Sequence, residues 1–324
     1  MEHLLFAFNV LAPLLLLALL GAFLRMTKLI EKPFVDQLNG FIFKIALPVM
    51  IFHTLSSTDE FASIDVGVFL FVVIASLLIA VIGFLIIHFQ PWHVQVKPVV
   101  LQSLFRGNYV IIGIPLALRL GGQEALSVLI VLNAMMIPLT NLLSFTTFSV
   151  FHDGSYARPK LISVVYKTFV NPIMVAVYLG LIAYGLSDIY KPITESYALI
   201  PDTLSMIQAT VTPMALIAIG AQFELKRVQS LKSVLIFAVI ARMVFIPLIV
   251  FTAAYLLRHT IDFSQSWIAL VALFASPVAV ASVAVTKGLN GDDSLASQLV
   301  ILDTGMAVFT VFAAIIWLRT MGFI

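Results

Sequence analysis

Long apolar runs separated by short polar clusters set the pattern of this chain. A bilayer-spanning helix needs about 20 mostly apolar residues. The runs predict ten such helices, at 3–24, 34–56, 66–88, 97–120, 123–151, 162–186, 198–222, 232–257, 266–288 and 294–318. Two of the runs carry interruptions: Gly113-Ile114-Pro115 in the fourth and Ala275-Ser276-Pro277 in the ninth. A helix in lipid tolerates a break only where protein or a water-filled cavity satisfies the freed backbone groups. A matched pair of breaks in corresponding positions of two halves points to a secondary transporter's binding site.

The prolines and glycines make the correspondence. Pro13 and Gly21 in the first helix are spaced like Pro172 and Gly180 in the sixth. Pro48 falls late in the second helix and Pro213 late in the seventh, while Pro115 and Pro277 interrupt the fourth and ninth. The pattern predicts two five-helix repeats, residues 1–156 and 157–324. An odd number of helices per repeat inverts the second copy relative to the first. The expected fold is therefore all-α and membrane-integral, with helices 4 and 9 broken and crossing mid-membrane.

Composition agrees: the chain is 61% hydrophobic and 10% charged over 324 residues, far too apolar for a soluble domain of this size. Without cysteine there is no disulfide scaffold, thiolate metal site or Cys nucleophile. The start, Met-Glu-His, lacks a basic signal-peptide n-region, so the first run is expected to remain a helix. Basic residues cluster in alternate loops: Arg25, Lys28 and Lys32; Lys97; Arg158 and Lys160; Lys226, Arg227 and Lys232; Lys287. The positive-inside rule then puts those loops in the cytoplasm and both termini outside, as for a multi-pass plasma-membrane protein. No basic run suggests nucleic acid.

Pro115 lacks an N–H and its ring crowds the preceding turn, so the upstream helix is expected to end near Ile112 or Gly113. Gly113 can adopt the left-handed closing conformation, and Pro115 suits the first turn of a new half-helix. Ser276 is the expected N-cap before Pro277 and Val278. Two half-helix N-termini meeting there would favour an anion; a pair of simple proline kinks is the plainer reading. Intramembrane polar residues are costly and often functional. Asn108 and Asn133 are candidate carboxylate donors, and Arg106 and Arg242 candidate second cations for a dianion. Arg106 could equally snorkel to the surface. Asp303 is the one acid deep inside a predicted helix: either a coupling site for H+ or Na+, or a salt-bridge partner of Arg242 or Arg106. No HExxH, phosphate-binding glycine loop or GxSxG motif is present, so neither an enzyme nor a cofactor is expected.

The stretch Arg106–Leu116, reading Arg-Gly-Asn-Tyr-Val-Ile-Ile-Gly-Ile-Pro-Leu, resembles the fourth helix of the auxin efflux carrier family. Ala275–Ser282 (Ala-Ser-Pro-Val-Ala-Val-Ala-Ser) resembles that family's ninth-helix crossover, and Ile45–Pro48 (Ile-Ala-Leu-Pro) its second-helix motif. The resemblance implies a bile acid:sodium symporter-like fold, with helices 1, 2, 6 and 7 as scaffold. Helices 3–5 and 8–10 would form a transport domain moving elevator-fashion. It places a carboxylate against Asn108 and the crossovers at Pro115 and Pro277, with Asn133 nearby. The short connection after the fifth helix resembles the bacterial organic-acid permeases more than the long-looped plant exporters. The expected substrate is a mono- or dicarboxylate such as malate or malonate; the alternatives are efflux of an auxin-like aromatic acid, or an anion-sensing receptor. Expected partners are the lipid bilayer and, as such folds often pair, a second copy in a homodimer.

Overall fold

The structure, a computed structural model, describes residues 2–57, 65–151, 172–221, 232–289 and 291–324, with four further positions between 162 and 170. The basic residues Arg158, Lys160, Lys226 and Arg227, the expected repeat boundary at 156/157 and most of the first ten positions of the expected sixth helix lie outside the described residues.

The described residues are helical throughout, and their β-type pairing is a single isolated bridge. We number the helices α1 (Glu2–Met26), α2 (Lys32–Ser56), α3 (Val66–His88), α4 (Lys97–Phe105), α5 (Tyr109–Val150), α6 (Pro172–Gly185), α7 (Ser187–Ser196), α8 (Leu199–Ala221), α9 (Lys232–Leu257), α10 (Trp267–Phe274), α11 (Ala281–Gly288) and α12 (Asp293–Thr320). Seven of them are long and apolar enough to cross a membrane, against the ten expected. The shortfall has local causes. The expected fourth and ninth spans are each cut into pieces, α4 with the start of α5 and α10 with α11. The expected sixth span is described as a continuous helix only from Pro172.

Apolar surface faces outward. On α3, Leu70, Ile74, Val81 and Leu85 are all more than half exposed and share one helical face, the arrangement that lipid rather than water accommodates. This is a multi-pass membrane protein.

Prolines shape the helices in an unexpected way. Pro48, Pro115 and Pro247 each lie two residues beyond the end of a five-residue π-helical turn, at Ile42–Ala46, Tyr109–Gly113 and Ala241–Phe245. A proline removes one backbone donor and its ring presses on the carbonyl four residues back. The wider π turn makes room for the ring and lets the helix continue. Behind Pro247 the orphaned carbonyl is that of Met243, and the Thr310 hydroxyl on α12 donates to it at 2.7 Å.

α1 and α8 pack backbone to backbone. A Cβ built on Gly21 would stand 2.0 Å from the Ile217 carbonyl oxygen, and one on Gly220 would stand 1.7 Å from that of Ala18. Small residues at such contacts supply the van der Waals attraction that holds helices together in lipid, where no hydrophobic effect separates helix from solvent. α2 packs on α6 and α8, α10 on α5, and α12 on α1, α9 and α11. Near the other end of the molecule the Asp65 carboxylate accepts from the Gly67 N–H at 2.7 Å, capping α3. It also accepts from the Asp262 N–H at 2.9 Å, joining the segments that precede α3 and α10. The Asp262 carboxyl is itself held below the ordinary aspartate range by the Ser264 amide that it accepts.

Candidate functional site

The two interrupted runs meet. α4 ends at Phe105 and α5 starts at Tyr109; α10 ends at Phe274 and α11 starts at Ala281. Between them Gly107 and Val278 form an antiparallel bridge. The Asn108 N–H donates to the Pro277 carbonyl at 2.6 Å, and the Ala279 N–H donates to the Arg106 carbonyl at 3.0 Å. Each break thus satisfies backbone groups of the other, which is how irregular backbone persists away from water.

The first break is displaced from its expected place. Gly113 is right-handed helical (φ −64°, ψ −41°), and Ile114 and Pro115 continue the same helix. The π turn ahead of Pro115 absorbs the ring, so the proline does not end the helix there. The helix begins instead after Arg106-Gly107-Asn108, where Asn108 (φ −88°, ψ 50°) offers its carbonyl to both the Ile112 and Gly113 amides. Gly107 fits because a Cβ there would lie 2.4 Å from Arg242 Nη2 and 2.8 Å from Ser276 Oγ. The half-helix runs to Gly121 and Gly122, whose backbone leaves the helical region.

The second break is where the sequence puts it, with a different cap. Ser276 is fully buried, and its hydroxyl donates back to Leu273 O at 3.4 Å. The residue before α11 is Val280, without a side-chain cap. Val278 belongs to the bridge and not to the half-helix, and Pro277 contributes its carbonyl to Asn108.

Arg242 explains how the upstream half-helices end. Its guanidinium is 1% exposed. Nη1 donates to Leu104 O at 2.9 Å; Nη2 donates to Ser276 O at 2.9 Å and, more weakly, to Leu273 O at 3.4 Å. One cation therefore closes the C-terminal ends of both α4 and α10, whose dipoles are negative there. Its hydrogen bonds go to backbone, not to a carboxylate. Asp303, on α12, is fully buried; the Arg242 guanidinium and the Val278 N–H are polar groups that face its carboxylate, neither of them in a well-formed hydrogen bond to it. Arg106 is half-buried and donates to Ser144 Oγ at 3.1 Å, so it turns toward α5. Tyr109 shares a 3.0 Å hydrogen bond with Thr140, which lies beyond the kink at Gly121 and Gly122.

Two candidate amides are buried with a polar atom left over: Asn108, 4% exposed, has an unpartnered Nδ2 that can donate to a carboxylate, whereas Asn133, 4% exposed, leaves free its Oδ1, which only accepts and can bind a carboxylate only after a half-turn of the amide. Around the bridge, then, α5 and α11 present their N-termini, with the Ser282 and Val283 amides of α11 donating to the Ala279 and Val280 carbonyls at 2.9 and 3.2 Å, while the opposite dipole ends are occupied by Arg242. The local field favours a negative guest.

A sequence profile described as membrane transport protein matches residues 6–317. The chain belongs to the membrane transport protein family. This is the auxin efflux carrier family that the motifs at 106–116 and 275–282 resemble, and within it the chain is a transport protein of the membrane. A search of curated proteins returned no match. Arg242 was legible in the sequence as a lone intramembrane arginine, a candidate second cation or partner of Asp303; its hydrogen bonds to the Leu104 and Ser276 carbonyls, which close two helix ends, were not.

Proposed function

We propose that the protein is a secondary-active transporter of small organic anions, mono- or dicarboxylates of the malate and malonate kind, working by elevator-type alternating access. In this reading the ten spans form two inverted five-helix repeats. The carboxylate binds beside the bridged breaks, with Asn108 and Asn133 as side-chain ligands and the α5 and α11 N-termini as field. The observation that carries the reading is the joined pair of breaks: two helix N-termini and the buried Asn108 Nδ2 with no partner, all in a membrane transport protein.

Gly113, Ile114 and Pro115 then act by keeping the half-helix continuous, and Arg242 by fixing the backbone, rather than by touching substrate. Asp303 is the group through which H+ or Na+ would be coupled, since a buried carboxylate without well-formed hydrogen bonds is stabilised by taking up a cation. By the positive-inside rule both termini face outward, as in a bacterial inner membrane. The exposed apolar faces would lie against lipid or a second copy.

Purified protein in proteoliposomes, tested with a panel of labelled acids, decides the matter. Saturable carboxylate flux is expected, and Asn108→Ala should weaken substrate affinity about tenfold while the protein stays folded, the effect of losing a hydrogen bond to a charged group. Binding without flux would make the protein a receptor. Flux with unchanged affinity in Asn108→Ala would take that residue out of the site.

A further inference from the structure

α9 and α12 leave a groove of about 510 Å³ between them, within the ~300–1,000 Å³ of ordinary small-molecule sites. Met243, Pro247 and Phe251 on α9 and Ala314 on α12 form a buried apolar floor. The rims, Leu248 and Phe309, are 60% and 68% exposed, so the groove opens toward the bilayer. Thr310 also lines it, but its hydroxyl is committed to the Met243 carbonyl. Neither Asn108 nor Asn133 belongs to its lining.

Length and charge limit what fits. From Met243 to Tyr255 the groove follows α9 for about 18 Å, at about 1.5 Å per residue. That is close to one leaflet of a bilayer whose hydrocarbon core is about 30 Å thick. The outer end carries Tyr255 and Trp317, residue types enriched where membrane meets water. Arg258 stands beside them: its guanidinium carbon lies 3.7 Å from the Tyr255 ring centroid, and Nη1 donates to the Tyr255 carbonyl. That engages one of the several N–H donors of the fork. Asp262, the nearest acid along the chain, turns its carboxylate to the Ser264 amide instead. Arg319, at the end of α12, stacks on Phe6 of α1. Among the described residues, then, Arg258 has an aromatic platform and no carboxylate partner.

We propose that the groove seats one acyl chain of a phospholipid whose phosphate binds Arg258, with preference for lipids of net negative charge. The apolar floor takes a chain of one-leaflet length, and the guanidinium offers the phosphate its remaining donors in a planar fork. A polar solute finds no free side-chain donor on the floor, and a chain without a headgroup leaves Arg258 unneutralised. By the positive-inside rule this end of α9 and α12 faces outward, so the lipid belongs to the outer leaflet. The inference is independent of the anion-carrier reading, because the groove shares none of that site's ligands.

The test is tryptophan quenching in the detergent-solubilised full chain by phosphatidylglycerol and phosphatidylcholine with brominated chains. Trp317 lines the groove and Trp267 stands behind it, ring centroids 5.5 Å apart, so bromines on a seated chain quench both. Phosphatidylglycerol should quench saturably, with a midpoint about three- to fivefold below that of phosphatidylcholine, the effect of one partly exposed ion pair. High salt should narrow that gap. Arg258→Gln should keep the parent's lipid-free melting temperature and lose the preference. Ala313→Phe sets a ring into the groove from an exposed position and should raise both midpoints severalfold. Equal midpoints in the parent, or a preference that survives in Arg258→Gln, overturn the proposal. So does quenching that does not saturate, or that Ala313→Phe leaves unmoved. A parent that resists quenching as a dimer and is quenched only as a monomer gives the groove to a second copy, and the lipid seat falls.

Discussion

Arg242 is the side chain on which the bridged breaks most depend, and replacing it offers the sharpest test of how they are held. Arg242→Ala removes donors from three buried carbonyls, two of them at 2.9 Å and one at 3.4 Å. Hydrogen bonds to a charged group contribute about 1.5–3 kcal/mol each, and a buried acceptor left bare costs a comparable amount. Counting only the two short bonds gives a loss of about 3–6 kcal/mol. At about 2 °C per kcal/mol for a chain beyond 250 residues, the melting midpoint should drop by about 6–12 °C. Fluorescence-monitored thermal unfolding in one detergent measures this. Hydrogen exchange should rise at 104–108 and 273–280 more than elsewhere, because those are the ends the guanidinium closes. Arg242→Lys keeps the charge, but a single ammonium cannot reproduce the planar fork that reaches two helix ends at once. It should recover about half of the loss. An alanine variant that melts within about 1 °C of the parent, with unchanged exchange at both breaks, would refute the reasoning. A lysine variant equal to the parent would show that charge, not the fork, is what matters.

Other outcomes follow from the same geometry. Gly21→Ala drives a methyl into the Ile217 carbonyl and should destabilise the α1–α8 contact by about 1–3 kcal/mol, read in the same melting assay; a neutral effect would mean that the two helices are free to separate. Thr310→Val leaves the Met243 carbonyl behind Pro247 without its donor and should cost about 1–2 kcal/mol, whereas Thr310→Ser should restore most of it. Asp303→Asn should abolish uptake driven by an ion gradient and spare counterflow exchange in proteoliposomes; gradient-driven uptake that survives the change sinks the coupling role.

Hydropathy made the membrane helices legible because a spanning segment must be apolar along its whole length, and α1, α3, α9 and α12 fall within a few residues of their expected spans. Prolines were read less well. Pro115 and Pro277 look alike in sequence, yet the first rides within a continuous helix and the second lies in a true break. The difference comes from what surrounds them: a π turn can form ahead of Pro115, while at Pro277 the carbonyl is drawn into pairing with Asn108. Gly107 marks the real break, and its need for a missing side chain arises from Arg242 and Ser276, residues distant along the chain. No local pattern carries that information. Asn108 and Asn133 were legible as buried amides in an apolar run. The partner of Arg242 was not, since it is backbone, and every residue has backbone.

The pairing of Gly107 with Val278 also bears on how the protein is made. The two strands of that bridge are separated by more than half of the chain, and synthesis proceeds from the N-terminus. When α4 and the start of α5 enter the bilayer, the segments that will satisfy Arg106 and Asn108 have yet to leave the ribosome. Until α10 and α11 arrive, the first break must rely on water, lipid headgroups or the insertion machinery. Maturation of the centre is therefore a late event, closed by the arrival of residues 277–279, and truncations that end before Pro277 should leave the first five helices inserted but protease-sensitive at 105–109.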